Sequence, residues 1–244
     1  PEYIPIEDIE NIISKIKNTN TLDFNGEKIL DFSFDQVIFN KDFLPFHSNG
    51  LTFIALSKEN DIVSSETYYS IGGGFVIQEE VEASEDNEIN KKNFPFPINR
   101  ATELENYCQN EGKNISEVVL LNELVLKNNN EIDVELKRVW ETMLECMYIG
   151  CHTEGTLPGG LNVKRRAFET HKKLIKDSQY TNEEEWISAI RSTEVKFREI
   201  LKWVSCFALA VNEVNASLGR VVTAPTNGSA GVIPAVLMYY LVIE

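Results

Sequence analysis

Residues 131–150 read EIDVELKRVWETMLECMYIG. Ile132, Leu136, Val139, Met143 and Met147 recur every three or four residues, the spacing that collects apolar side chains on one face of an α-helix. Gly150 supplies a stop. The pattern returns downstream in Ile200, Leu201, Val204, Phe207, Ala208 and Val211. Between the two stripes, Thr181-Asn182-Glu183-Glu184 fits a capping box ahead of Trp186, in which hydroxyl and carboxylate satisfy exposed helix N–H groups reciprocally. This half of the chain reads as helices.

The other half reads differently. Leu51-Thr52-Phe53-Ile54-Ala55-Leu56 and Glu66-Thr67-Tyr68-Tyr69-Ser70-Ile71 are rich in β-branched and aromatic residues, which favour strands. Ile29, Leu30, Phe32 and Phe34, leading to Val37-Ile38-Phe39, form further short apolar runs. A helix from about Glu7 to Lys17 precedes them, with Ile9, Ile12, Ile13 and Ile16 at helical spacing. The acidic stretch from Glu79 to Asn90 reads as a mobile loop. Two prolines in Phe94-Pro95-Phe96-Pro97 interrupt any regular element. The sequence therefore predicts an α+β protein: an N-terminal α/β domain over residues 1–98 and an all-helical domain over residues 99–244.

The charge is uneven. Acids outnumber bases 18 to 7 before residue 99 and 20 to 16 after it, and the net charge is -15. Such a chain repels nucleic-acid phosphates and anionic membranes, so neither is an expected partner. No apolar run approaches the roughly 20 residues that cross a bilayer. The start, Pro1-Glu2-Tyr3-Ile4-Pro5, has no basic region followed by an apolar one, which argues against a secretory signal, and it lacks an initiator methionine. Cys108, Cys146, Cys151 and Cys206 are too few for a disulfide scaffold in 244 residues, so reduced thiols in a cytoplasm are expected.

Three segments carry chemistry. In Ser70-Ile71-Gly72-Gly73-Gly74, consecutive glycines after a strand let backbone N–H groups approach an anion, and Ser70 adds a hydroxyl. The same residues also suit a plain turn. In Gly150-Cys151-His152-Thr153-Glu154-Gly155, polar groups sit between glycines directly after a helix end, where binding loops concentrate. Cys146 and Cys151 lie five residues apart on a helix that turns about 100° per residue, and with His152 they make no metal-ligand spacing. In the third segment, Thr223-Ala224-Pro225-Thr226-Asn227-Gly228, a loop after a helix ending near Gly219 leads into a second helix from Gly231, a polar pocket for a small anion. The run Val163-Lys164-Arg165-Arg166, continued by His171-Lys172-Lys173, reads as a solvated helix face. His47 and His171 have no evident partner and read as structural.

Thr67 to Phe75, Thr153 to Gly159 and Val221 to Gly228 closely resemble bacterial L-serine dehydratases of the iron–sulfur type, as do Ala101-Thr102-Glu103-Leu104 and Ala208 to Glu213. The phrases occur in the family's order from about residue 40 onward. The resemblance implies a β-type domain followed by a catalytic α domain, and a lyase of amino-acid degradation that turns L-serine into pyruvate and ammonia. It also implies a [4Fe–4S] cluster whose open iron acts as Lewis acid on the serine hydroxyl while a base takes the α-proton. By position, Ser70, Gly72, Gly73 and Gly74 would hold the substrate carboxylate. Thr226, Asn227 and Gly228 would lie beside the cluster, with Thr153 and Glu154 as secondary contacts. A cytoplasmic homodimer is implied for the full-length protein.

Three departures bear on this. The family's Ser-Ser-Ser-His-Thr segment is absent, the helical stretch after Glu244 that carries further cysteines is absent, and the family's cluster cysteine is replaced by Ala230. Alanine offers iron no ligand, so these residues alone show no cluster site, and the isolated chain is expected to be inactive. Two other readings stay open: a cluster-free relative or amino-acid-sensing module, and a pyridoxal-phosphate dehydratase with phosphate on Gly72 to Gly74. The last lacks a lysine in the Ser-x-Lys setting that a Schiff base needs.

Overall fold

The computed structural model of the chain describes residues 8–24, 26–72, 75–79, 94–223 and 226–244. Strands occupy the N-terminal part and helices the rest, giving the mixed α+β class expected. Gly73 and Gly74, and residues 80–90 of the expected acidic loop, fall outside the described residues.

Helix α1 (Ile9–Thr19) ends at Asn20, whose left-handed φ of 51° lets its N–H return to the Ile16 carbonyl. An antiparallel ribbon follows, β1 (Thr21–Phe24) on β2 (Lys28–Asp31). The apolar run Val37 to Phe39 is not a strand. It follows a short 3₁₀ turn, Phe34–Gln36, where Ser33 Oγ accepts from the Asp35 amide and Gln36 Oε1 accepts from the Ser33 amide. Local side-chain bonding thus takes up groups that a strand partner would otherwise satisfy.

Strands β3 (Gly50–Leu56), β4 (Ile62–Gly72) and β5 (Phe75–Gln78) form one sheet in that order. Gly50 pairs with Tyr69 and Thr52 with Thr67, and the register slips between Ala55 and Leu56. Tyr69 is 1% exposed. A Cβ at Gly50 would lie 2.4 Å from Leu44 Cδ1 and 3.0 Å from the Tyr69 ring, so glycine is what admits that ring. Phe53, Val63 and Phe75 stay exposed, which leaves much of the sheet's apolar surface open to solvent.

The helices are α2 (Ala101–Glu111), α3 (Ile115–Glu123), α4 (Asn129–His152), α5 (Ala167–Ile175), α6 (Glu183–Ser192), α7 (Phe197–Asn215) and α8 (Val232–Met238). Two compact units result, residues 78–142 and residues 1–77 with 143–244. In the former, Asn114 and Glu117 cap α3 reciprocally, and the Asn122 amide bonds both the carbonyl and the N–H of Phe96.

In the latter, α7 packs against α5 and α8. Met147, Trp186, Ile190, Trp203, Phe207 and Met238 are all buried there. Each such side chain contributes about 1.5–3 kcal/mol or more of apolar burial. The cap of α6 lies one residue later than the sequence suggests. Asn182 Oδ1 accepts from the Glu185 amide, and Glu185 Oε2 accepts from the Thr181 amide and hydroxyl.

Gly150 does not stop α4, which runs on to His152. A Cβ there would meet the Ala210 carbonyl oxygen at 2.4 Å, so glycine marks a close approach of α4 to the backbone of α7. Gly231, the residue before α8, repeats this with the Ala208 carbonyl oxygen at 2.5 Å. Both glycines answer to packing.

Candidate functional site

The end of β4 carries Ser70, exposed, with its backbone N–H donated to the Asn49 carbonyl at 2.9 Å. That N–H is therefore taken by the sheet edge. Gly72 has φ +92°, a left-handed conformation that favours glycine. Asn49, Leu51, Phe53, Tyr68, Ser70 and Val76 border an open cavity of about 530 Å³, more apolar than an anion cradle.

Around the end of α4 the chain buries an aromatic and imidazole cluster. His152 Nδ1 lies 2.6 Å from the Tyr148 carbonyl, which can only accept, so Nδ1 carries the proton. Nε2 then accepts from the Tyr180 hydroxyl at 2.8 Å. His171, which has a partner after all, accepts at Nε2 from the Trp186 indole N–H at 2.8 Å. Burial first, and the neighbouring His152 second, push the His171 pKa down to about 4. Burial likewise lowers that of His152 and raises the Tyr180 hydroxyl to about 12. The cluster is neutral at physiological pH, and both ring nitrogens of His152 are occupied within it. His47 also has a partner, its Nδ1 accepting from the Asn49 amide at 3.1 Å.

Of the neighbouring expected residues, Glu154 is exposed, whereas Thr153 borders a second cavity of about 350 Å³. Glu145 and Cys146 on α4, Arg165, and Ser217 and Arg220 beyond α7 complete its polar wall. The run at residues 163–166 is thus not a helix face. Lys164 pairs with Thr156 in a β-bridge, Leu157 N–H bonds the Val163 carbonyl, and Arg165 N–H bonds the Gly155 carbonyl. This small hairpin, turned at Gly159 with φ +107°, holds Arg165 inward. Arg165 Nη2 donates to Ser217 Oγ. Next to it, buried Glu213 accepts from the Arg166 N–H at 2.7 Å and the Ala167 N–H at 3.3 Å, capping α5 with a carboxylate. Sequence reading did not bring Arg165, Ser217, Arg220 and Glu145 together around one cavity. A hairpin signal, Pro158-Gly159-Gly160 ahead of the bases, was present.

The third segment forms a tight 3₁₀ turn, Asn227–Ser229, preceded by Thr226. Thr226 Oγ1 accepts from the Ser229 amide at 3.4 Å, and the Thr223 hydroxyl donates to Asn227 Oδ1 at 2.7 Å. Asn215 Nδ2, at the end of α7, donates to the Asn227 carbonyl at 3.5 Å. The hydrogen bonds described for Ser70 and for Thr226–Asn227 stay within each segment's own surroundings.

The described residues do not fit an iron–sulfur cluster. Ala230 is fully buried and offers no thiolate. Burial holds the Cys146 thiol up at about 12 and raises that of Cys151, which also bonds Cys206. Such thiols resist becoming ligands. Among the described residues, no three His, Cys, Asp or Glu side chains are grouped to hold a metal ion, and no helix is long and apolar enough to cross a membrane.

Comparison with known proteins adds the family. Residues 78–243 match the serine dehydratase alpha chain and residues 1–81 the serine dehydratase beta chain. An L-serine dehydratase of Haemophilus influenzae is 40% identical over 98% of this chain and 50% of its own length. L-serine dehydratase 1 of Escherichia coli is 39% identical over 98% of this chain and 50% of its own length. For an L-serine dehydratase of Streptomyces coelicolor the figures are 35%, 99% and 50%. The chain spans about half the length of the curated relatives it matches. With both of its parts matched in order, the chain belongs to the serine dehydratase family.

Proposed function

We propose that this chain forms part of an enzyme that deaminates L-serine to pyruvate and ammonia. The observation that carries the reading is the 40% identity to a protein named L-serine dehydratase over 98% of the chain. The reaction needs the α-proton removed and the β-hydroxyl expelled, after which aminoacrylate tautomerises and hydrolyses. Ser70 with Gly72, Gly73 and Gly74, and Thr226-Asn227-Gly228, are proposed as substrate contacts, with Thr153 and Glu154 secondary. We take the division of labour to run between residues 1–98 and 99–244, and the intact protein to be a cytoplasmic homodimer. A [4Fe–4S] cluster is proposed to be held by residues outside these 244, since Ala230 and the neutral buried thiols do not fit one.

The test is pyruvate release from L-serine by the intact protein purified without oxygen, read through a lactate dehydrogenase couple. Failure to release pyruvate would refute the reading. Binding of L-serine without turnover would favour the amino-acid-sensing alternative, which the loss of a cysteine at Ala230 supports.

A further inference from the structure

Strand β3 is an edge of its sheet, with β4 as its one neighbour among the described residues. All seven of its residues, Gly50-Leu51-Thr52-Phe53-Ile54-Ala55-Leu56, are exposed. It carries no charge and no proline, and the extra residue at the register slip, Val63, belongs to β4. Those are the devices that ordinarily keep an edge from pairing with another strand, and β3 has none of them.

The ladder fixes which main-chain groups are open. Ser70 N–H donates to the Asn49 carbonyl, and the alternation runs on from there. Leu51, Phe53 and Ala55 turn their N–H and C=O groups toward β4, whereas Gly50, Thr52, Ile54 and Leu56 turn theirs away. The Thr52 and Thr67 hydroxyls lie 3.0 Å apart, the close side-chain approach of a pair that makes no ladder bonds, in agreement with this phase.

The strand that fits this edge is β3 itself. About a two-fold axis at Phe53, antiparallel pairing sets Thr52 of one protomer opposite Ile54 of its partner, and Gly50 opposite Leu56. Every outward group then meets an outward group over the full strand. Phe53, 59% exposed and edge-on to Tyr68 at 6.0 Å, meets its own counterpart on the same face. Charge permits the pairing although the chain carries -15 overall. The one charged residue of β3 and β4 is Glu66, across the ladder from Phe53. Three strand spacings, about 14 Å, separate its backbone from that of its copy, beyond the screening length of about 8 Å.

We propose that two copies of the chain join through β3, antiparallel about Phe53, to make one six-stranded sheet. That the partner is a second copy rests on the homodimer reading above; that β3 is the place of pairing rests on the ladder.

The test oxidises the intact protein with diamide as Phe53→Cys, as Leu56→Cys and unsubstituted. Residue 53 and its copy would have Cα atoms about 4.5 Å apart, within disulfide reach. Residue 56 and its copy would lie six positions apart along the strands, about 20 Å. Phe53→Cys should therefore give a doubled chain on a non-reducing gel that returns to one chain on reduction, and Leu56→Cys should match the unsubstituted protein. Ile54→Pro removes an N–H that β4 does not use, at an edge position where proline is tolerated, so the sheet itself survives. The paired strands lose two main-chain bonds, and sedimentation should show the dimer dissociation constant raised about tenfold or more. If Ile54→Pro does not fold, the cross-link decides. Absence of the doubled chain, or an unchanged dissociation constant in folded Ile54→Pro, overturns the interface. With the dimer still present, that result spares the homodimer, whereas an intact protein that sediments as a monomer throughout removes both.

Discussion

Acidification from pH 7 to pH 4 is expected to remove about 3 kcal/mol of stability through His171 alone. The ring is 3% exposed, accepts the Trp186 indole N–H, and has its pKa pushed down from 6.5 to about 4. An unfolded chain protonates this imidazole as the pH falls through 6.5, while the folded one resists until about 4. Between those values the unfolded state binds more protons, so falling pH favours unfolding. Above 6.5 the contribution is complete and flat. By the same relation, about half of the loss is present at pH 5.5. The measurement is urea unfolding, followed by tryptophan fluorescence at pH 7, 5.5 and 4, for the chain and for His171→Gln. Gln keeps an oxygen to accept from Trp186, so the difference between the two proteins isolates the titration. His152, whose pKa is lowered too, acts in the same direction in both. Equal losses in chain and variant, or a loss already present above pH 6.5, would refute the reasoning.

Glu213→Ala strips the cap from α5 and orphans the buried Ala167 N–H, and should cost about 3 kcal/mol in urea unfolding. Glu213→Gln, which keeps one acceptor oxygen, should lose about half as much. Gly150→Ala forces a methyl to 2.4 Å from the Ala210 carbonyl oxygen, and should lower stability by about 2 kcal/mol despite alanine's better helix propensity; an unchanged urea midpoint would contradict the close approach. Asn182→Ala removes the side-chain acceptor for the Glu185 amide and should cost about 1 kcal/mol in the same assay. The 244 residues purified alone should release no pyruvate from L-serine in the coupled assay, and detectable release would overturn that expectation.

What the sequence made legible was whatever repeats along the chain. The stripe from Ile132 to Met147 and that from Ile200 to Val211 became α4 and α7, and the β-branched runs became β3 and β4, because period alone fixes which side chains share a face. Features joining distant residues were not legible. Gly150 looked like a stop, since its partner Ala210 lies 60 positions away and nothing local announces it. His171 looked partnerless because Trp186 is 15 residues on, across a turn. Arg165 was placed on a helix face by its basic neighbours, whereas the Pro158-Gly159-Gly160 turn folds it toward Ser217, 52 residues away. The motif residues Thr226 and Asn227 read as a polar loop, but their bonding to Ser229, Thr223 and Asn215 depends on how the loop folds back on the end of α7, which no local pattern announces.

Two residues lacking side chains clasp α7 from different neighbours: Gly150 beside Ala210 and Gly231 beside Ala208. Main chain rests there on main chain, with no rotamer available to absorb an intruding atom. Just downstream lie Asn215, Ser217 and Arg220. An added methyl at either glycine would therefore move the whole helix, carrying these polar groups with it while each stayed chemically intact.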